Sequence, residues 1–106
     1  MDELKKWRDE IDRVDAEMAS LFEARMAAAR AIAAYKKEHG LPVEDKSREE
    51  EMLRREVPLV SPDVQPYFAR FLRTAIELSK EYQRTVQGDA APSAGGETAG
   101  KTEKSS

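Results

Sequence analysis

Apolar side chains recur every three or four residues along the first third of the chain, a spacing that places them on one face of a helix. Nine of the ten positions on this face, which we call the apolar seam, are apolar, and the tenth is Arg25. The seam consists of Leu4, Trp7, Ile11, Val14, Met18, Leu21, Arg25, Ala28, Ile32 and Tyr35. It predicts a long amphipathic helix over about residues 1–38, ended by a left-handed cap at Gly40 with Pro42 just beyond.

Two further helices are predicted after this turn. The second begins near Ser47, which opens a sequence that fits a capping box, and it stops before Pro58. The third begins between Ser61 and Pro66 and extends to about Val86. Because no segment alternates between apolar and polar residues as a strand would, the predicted fold class is all-α.

The end of the chain has a different composition. Residues 88–106, GDAAPSAGGETAGKTEKSS, contain no aromatic or branched aliphatic side chain and are rich in Gly, Ala, Ser and Thr. This composition predicts a disordered tail or the remnant of a linker. We therefore expect one helical domain over residues 1–87, followed by this tail.

The length of the first helix bears on assembly. At 1.5 Å per residue, a helix of about 36 residues spans roughly 54 Å, whereas a small domain is ~30 Å wide. Two shorter helices cannot cover the whole apolar seam, so we expect a second copy of the chain to cover the rest. The pattern also allows a longer coiled coil, but turns marked by proline favour a compact bundle. The sequence thus predicts a three-helix protomer in an intertwined homodimer.

Composition and charge narrow the possible chemistry. The chain has no cysteine and one histidine, which excludes disulfides, thiolate chemistry and cysteine–zinc sites, so we expect no metal and no cofactor. The net charge is −3, and the basic and acidic residues are intermixed without forming a basic stripe. This distribution argues against a nucleic-acid partner. No apolar run approaches the roughly 18 residues of a membrane span, and the N-terminus does not resemble a signal peptide. A cytoplasmic protein without a membrane partner is expected.

Polar residues interrupt the apolar faces of the predicted helices. Burying the guanidinium of Arg25 costs on the order of several kcal/mol unless an anion or another acceptor meets it. Lys36 follows eleven residues later, about three turns along the same face. In the third helix, Ser79 and Gln83 stand one turn apart where aliphatic side chains would be expected. Together these groups predict a pocket for a small anion.

Four more polar residues belong to this set. Asp45, Arg48 and Glu49 cluster at the start of the second helix, where side chains converge with free backbone N–H groups. Arg8 precedes Arg25 by seventeen residues, about 25 Å along the helix, and cannot share a small ligand with it. In an antiparallel dimer, we expect Arg8 to reach the pocket of the partner subunit.

Each of these residues also has a purely structural interpretation. Arg25 could form a buried salt bridge with Asp15 or Glu49, and Lys36 could be a solvated lysine favoured by the helix dipole. The others could serve as caps (Asp45, Glu49), a surface ion pair (Arg48), a helix-packing residue (Ser79) and a solvated amide (Gln83). What favours a pocket is that all of them are predicted to meet in one place.

Taken in order, the polar residues and their neighbours form a recognisable pattern. It comprises Arg8, Ile11, Asp12, Asp15, Arg25, the triplet Ala34-Tyr35-Lys36, the segment GLPVED at 40–45, Arg48, Glu49 and the segment ELSKEYQ at 77–83. This pattern resembles the all-helical chorismate mutases over nearly all of residues 1–87. The resemblance is closest to the mutase domains of bifunctional chorismate mutase–prephenate dehydratase proteins. Lys46 and Ser47 depart from it, because many members have a proline after the aspartate.

The resemblance implies a function and a role for each residue. It implies a chorismate mutase that isomerises the dicarboxylate chorismate to prephenate in phenylalanine and tyrosine biosynthesis, by a pericyclic step without a cofactor. Lys36, Gln83, Arg25 and Glu49 are implied to be catalytic. Arg25 and Arg8 of the partner subunit are implied to bind the two carboxylates. Lys36 is implied to donate to the ether oxygen and one carboxylate, Gln83 to the same oxygen, and Ser79 to a carboxylate. Glu49, with Asp45 or its backbone, is implied to hold the ring hydroxyl, and Arg48 either contacts a carboxylate or only fixes the acids beside it.

Two other functions are compatible with the predicted fold. An isochorismate pyruvate lyase shares the fold, but its loop is poorer in carboxylates, whereas this chain has both Asp45 and Glu49. A non-catalytic helical dimerisation or regulatory module is the second alternative. Such a module would have no need of the full polar set.

Overall fold

The computed structural model describes residues 2–88, which form three α-helices. Helix α1 spans Glu3–Glu38, α2 spans Lys46–Glu56 and α3 spans Gln65–Val86. Two short 3-10 helices, Val57–Leu59 and Pro62–Val64, connect α2 to α3. Since these described residues contain no strand, the predicted all-α fold is confirmed. The predicted tail, apart from its first residue, lies outside this range.

Both ends of α1 carry the capping chemistry that its sequence indicates. At the start, the side chain of Asp2 accepts a hydrogen bond from the backbone N–H of Lys5. At the end, Gly40 has a positive φ of 66°. The N–H of Gly40 bonds to the carbonyl of Lys37, and the N–H of Leu41 bonds to that of Lys36. These two bonds form a Schellman motif, so the predicted left-handed cap at Gly40 is confirmed.

The start of α2 differs from the prediction. Helix α2 begins at Lys46, and its N-cap is Asp45, whose Oδ1 accepts from the backbone N–H of Arg48 at 3.1 Å. The Ser47 hydroxyl donates to the same oxygen at 3.3 Å. The predicted capping box at Ser47 is therefore wrong, because the aspartate two residues earlier already provides the acceptor.

Three prolines mark the connection from α2 to α3. Helix α2 ends before Pro58, as predicted. Pro62 opens the second 3-10 helix, and Pro66 is the second residue of α3. A proline is tolerated in a first turn because its missing N–H would have no partner within the helix. The third helix therefore starts at the late end of the predicted range.

The small apolar core lies where the C-terminal half of α1 packs against α3. Within residues 2–88, the buried apolar side chains are Ala29, Ala33, Leu72 and Ile76. The two alanines lie next to the apolar seam and belong to a row that begins at Arg25. Arg25 therefore points toward α3, whereas the large side chains of the seam are exposed in the protomer.

The N-terminal half of α1 extends away from this core. Its large apolar side chains are all exposed; they are Leu4, Trp7, Ile11, Val14 and Met18. The meeting point of the three helices thus lies in the C-terminal half of α1.

None of the helices between residues 2 and 88 has both the length and the apolar character that a membrane span requires.

Candidate active site

A cleft of about 500 Å³ opens where α1, α2 and α3 meet. Of the eight site residues predicted from the sequence, Arg8 alone is not part of its lining. The seven that line it are Arg25 and Lys36 from α1, Asp45, Arg48 and Glu49 from the start of α2, and Ser79 and Gln83 from α3. The fold therefore brings together side chains that are up to 58 positions apart in the sequence.

Helix α3 provides the deepest polar groups of the cleft. Ser79 and Gln83 are both buried, and the Gln83 Nε2 donates to the Ser79 Oγ at 3.3 Å. The Gln83 Oε1 is buried and has no hydrogen-bond partner among residues 2–88. An unsatisfied buried acceptor costs on the order of 1–3 kcal/mol. Gln83 is therefore not the solvated amide of the structural interpretation.

Two cations of α1, Arg25 and Lys36, also line the cleft. Arg25 is half-buried and forms no ion pair within the part of the chain that the structure describes. Of the two expected partners, Asp15 is exposed and Glu49 pairs with Lys80 instead. The salt-bridge interpretation of Arg25 is therefore not supported, and its guanidinium lines the cleft with its donors free of carboxylate partners among residues 2–88.

Lys36 is held in place by the connection between α1 and α2. Its Nζ donates to the backbone carbonyl of Val43 at 2.8 Å, and its side chain is half-buried. One of the three N–H donors of the ammonium is thus used, which fixes its direction. The neighbouring Lys37 is exposed, and its Nζ donates to the carbonyl of Gln87 at 2.8 Å. Only Lys36 of this pair lines the cleft.

The start of α2 forms the rim of the cleft. Asp45 is exposed and caps the helix, while Arg48 is exposed with its guanidinium 3.7 Å from Glu51. Glu49 is the more enclosed acid, since its side chain is 18% exposed. The structure thus gives Asp45 the capping role of the structural interpretation as well as a place in the cleft. Glu49 does not cap the helix with its side chain.

Lys80 also lines the cleft, and the sequence did not single it out. Its side chain is 8% exposed, and its Nζ lies 3.0 Å from Glu49 Oε2 and 3.1 Å from Glu77 Oε2. Burial by itself would lower the pKa of Lys80, but the hydrogen bonds to these two carboxylates outweigh it and raise the pKa above its usual value. A signal was available, because Leu72, Ile76 and Lys80 form one row at a spacing of four.

The connection between α1 and α2 adds one more acid beside Lys80. The Glu44 carboxylate lies 3.2 Å from the Lys46 ammonium and 3.9 Å from that of Lys80. The hydrogen bond from Lys46 lowers the pKa of Glu44, and the charge of Lys80 lowers it further. Lys80 thus joins acids from the connection, α2 and α3 into one ion-pair network.

The charges of the cleft divide between its walls. Lys80 is balanced by carboxylates on the side of α2 and α3, while Arg25 and Lys36 form no ion pairs within residues 2–88 on the side of α1. The α1 wall can therefore attract an anion, and Glu49 can accept a hydrogen bond. Among the described residues, no group of three His, Asp or Glu side chains is arranged to hold a metal ion.

Arg8 lies far from the cleft of its own chain. Helix α1 is continuous from Glu3 to Glu38, which places Arg8 about 25 Å before Arg25 along the axis. Arg8 is exposed, on the half of α1 that extends away from the core. A role in the cleft of a partner subunit stays a prediction.

Comparisons with known proteins agree with this arrangement. Residues 7–84 match the sequence model of the family described as chorismate mutase type II. Among curated proteins, no significant match was found. A solved structure of a conserved hypothetical protein from Pyrococcus furiosus is similar, with 39% identity over 79% of this chain and 99% of that chain and a TM-score of 0.66. The chain, with its polar cleft between three helices, belongs to the chorismate mutase type II family.

Proposed function

We propose that the protein isomerises chorismate to prephenate without a cofactor, as a step in phenylalanine and tyrosine biosynthesis. The observation that carries this proposal is that seven of the eight implied site residues line one cleft. The family match over residues 7–84 supports it. The rearrangement is a single pericyclic step, so the protein must hold a reactive conformer and stabilise the charge that develops on the ether oxygen.

The carboxylates of the substrate find their partners on α1 and α3. The Arg25 guanidinium lines the cleft and has no ion-pair partner within residues 2–88, so it is available for bidentate bonds to one carboxylate. The hydroxyl of Ser79, on α3, donates a further hydrogen bond to a carboxylate. Arg48 approaches from the rim, where its contact with Glu51 at 3.7 Å is loose enough to be exchanged for a ligand.

The ether oxygen lies between Lys36 and Gln83 in this proposal. The bond from Lys36 to the Val43 carbonyl leaves two of the ammonium's donors for the substrate. The Gln83 Nε2 carries two N–H donors; one bonds to the Ser79 Oγ at 3.3 Å, which leaves the other for the substrate. Gln83 thus supplies a neutral donor to the ether oxygen, while the Ser79 hydroxyl keeps its own proton for the substrate carboxylate.

The ring hydroxyl is assigned to the acids of α2. Glu49 is partly enclosed and has one oxygen engaged by Lys80, which leaves Oε1 as the acceptor for the hydroxyl. Asp45 already accepts two hydrogen bonds at Oδ1, so it contributes its other oxygen or its backbone. With these roles, the cleft should bind a substrate that carries both carboxylates and the hydroxyl more tightly than one that lacks any of these groups.

An intertwined homodimer completes the proposed site. The five large apolar side chains on the N-terminal half of α1 are exposed in the protomer, which favours burial against a second copy. Arg8 is on the same half of the helix, and in the dimer it binds the second carboxylate of a substrate in the partner's cleft. The closer resemblance to the mutase domains of bifunctional chorismate mutase–prephenate dehydratase proteins and the cytoplasmic location remain predictions from the sequence.

The test of this function is a direct incubation of the purified protein with chorismate. We expect chorismate to disappear and prephenate to appear, with no added metal or cofactor. Protein carrying Arg25→Ala serves as the control, and it should be nearly inactive. A parallel incubation with isochorismate separates the lyase, because that reaction releases pyruvate. Protein that consumes neither substrate, and that a dicarboxylate mimic of the transition state does not stabilise against heat, would fit a non-catalytic module instead.

A further inference from the structure

Lys80 is a cleft residue to which the proposed function gives no role. Only 6% of the residue is exposed, and its Nζ is within 3.1 Å of two carboxylates. Moving an ammonium out of water is unfavourable unless good partners meet it, so a lysine at this depth depends on those acids. Lys80 is thus placed to act on whichever of them faces the substrate.

Its two nearest partners differ in their surroundings. Glu77 precedes Lys80 by one turn on α3, and its side chain is 64% exposed, so water solvates it without help. Glu49 belongs to α2, lines the cleft and is 18% exposed. The ion pair that matters for the cleft is therefore the one between Lys80 and Glu49, which crosses from α3 to α2.

Without the charge of Lys80, Glu49 would weaken the binding of a dicarboxylate. An unpaired carboxylate in a partly enclosed site would repel the substrate's own charges. The ammonium of Lys80 at 3.0 Å offsets the charge and holds Oε2, so that Oε1 remains for a hydrogen bond.

On the basis of the proposed function, we propose that Lys80 is a positioning residue that holds the Glu49 carboxylate oriented to accept the hydrogen bond of the substrate's ring hydroxyl. Lys80 does not touch the reacting atoms in this role. Its effect is specific to the hydroxyl, and it should not change the recognition of the two carboxylates to the same extent.

The test compares two ligands that differ only in this hydroxyl. Both are bicyclic ether dicarboxylates that mimic the transition state, one with and one without the ring hydroxyl, and their Kd values are measured by titration calorimetry. The ratio of the two values is the hydroxyl preference, which we expect to be about 10-fold or more for the wild-type protein. Lys80→Met, which keeps the length of the side chain and removes the charge, should reduce this preference to about 2-fold.

Two further proteins exclude a general effect of structure or charge. Lys46→Met removes an exposed cation 3.2 Å from Glu44, within the same acidic network, and should leave the preference unchanged. In a Glu49→Gln background, Lys80→Met should have no additional effect on the preference, because its partner charge is gone. A purely structural role of Lys80 would weaken both ligands equally and leave the ratio as in the wild type.

Circular dichroism establishes whether each variant folds. If Lys80→Met does not fold, Lys80→Gln replaces it, since its amide can still bond to Glu49 without carrying charge, and a smaller loss of preference is expected. An unchanged ratio in the folded Lys80 variant, or a wild type without a hydroxyl preference, would overturn the inference and leave the proposed function standing. A wild type that binds neither mimic would overturn both.

Discussion

Arg25 and Lys36 line the cleft from the same helix, whereas Lys37, the next residue, bonds to the Gln87 carbonyl outside it. Removing a donor aimed at a developing oxyanion typically lowers kcat by about 10²–10³, or roughly 2.7–4 kcal/mol. We expect Lys36→Ala to lose this much activity and Arg25→Ala to approach or exceed it. Steady-state kinetics with chorismate should show almost no change for Lys37→Ala, and equal losses at positions 36 and 37 would contradict the assignment.

The amide of Gln83 does not titrate, which sets the expected pH dependence. If Gln83 donates to the ether oxygen, kcat should change little across neutral pH. Gln83→Glu should then make the rate fall as pH rises, because a glutamate donates only when protonated and its usual pKa is about 4.3. Rates measured from about pH 4 to about pH 8 test both statements. A steep acid optimum in the wild type would argue against Gln83 in this role.

At the scale of residues, the sequence predicted the cleft but not its whole charge network. Arg25, Ser79 and Gln83 could be identified because each stands where the helical pattern leads to an apolar residue. Lys80 stands in the same row as Leu72 and Ile76, so the helical period could indicate its burial but not its partner. That partner, Glu49, comes from another helix, and periodicity within one helix carries no information about such contacts.

At the scale of elements, Gly40 determines how α1 ends. Its φ of 66° suits a glycine, and a Cβ at this position would have no heavy atom within 4 Å. Gly40→Ala should therefore cost only backbone strain, about 1–2 kcal/mol of the free energy of unfolding. Gly40→Asn should cost less, since asparagine tolerates the left-handed region better. Urea unfolding measures both, and equal stability of the alanine variant and the wild type would contradict this explanation.

Helix boundaries were the most predictable feature of the chain, because they depend on local chemistry. Gly40, Pro58 and Pro66 each act through their own backbone restrictions, and the observed ends of the helices agree with them. The start of α2 was misjudged because Asp45 and Ser47 both suit an N-cap. The choice between two such neighbours depends on where the chain turns after α1, and the local sequence does not contain that direction.

At the scale of the whole molecule, shared sites make a specific prediction about mixed dimers. Arg8→Ala and Arg25→Ala should each be nearly inactive alone. A heterodimer of the two has one intact cleft, so refolding an equal mixture should restore about a quarter of the wild-type activity. Mixing Arg25→Ala with Lys36→Ala is the matched control and should restore none, because both residues line the cleft of their own chain. Absence of rescue in the first mixture would contradict the shared site.

The dimer was inferred from the length and periodicity of α1, and the exposed apolar side chains of the protomer give a physical reason for it. Within residues 2–88 four apolar side chains are buried, while fifteen large apolar side chains are exposed. Which surfaces of two copies meet depends on their complementarity, and the pattern of one chain does not specify it. The assembly is therefore the part of the prediction that needs the mixed-dimer experiment.

The buried Gln83 Oε1, which has no hydrogen-bond partner among residues 2–88, implies that thermal stability and catalysis favour different side chains at this position. Replacing it with an apolar side chain removes an oxygen that has no partner among residues 2–88, so Gln83→Met should raise Tm by several degrees, roughly 4–8 °C per kcal/mol, while abolishing turnover. Gln87→Met should do the reverse, lowering Tm without harming the reaction, because its amide already donates to the Ala33 carbonyl at 2.8 Å. Calorimetry should show changes in Tm of opposite sign for the two variants, and rate measurements should show lost activity for Gln83→Met alone. Position 83 would then be one where the protein keeps a destabilising side chain because the reaction requires it.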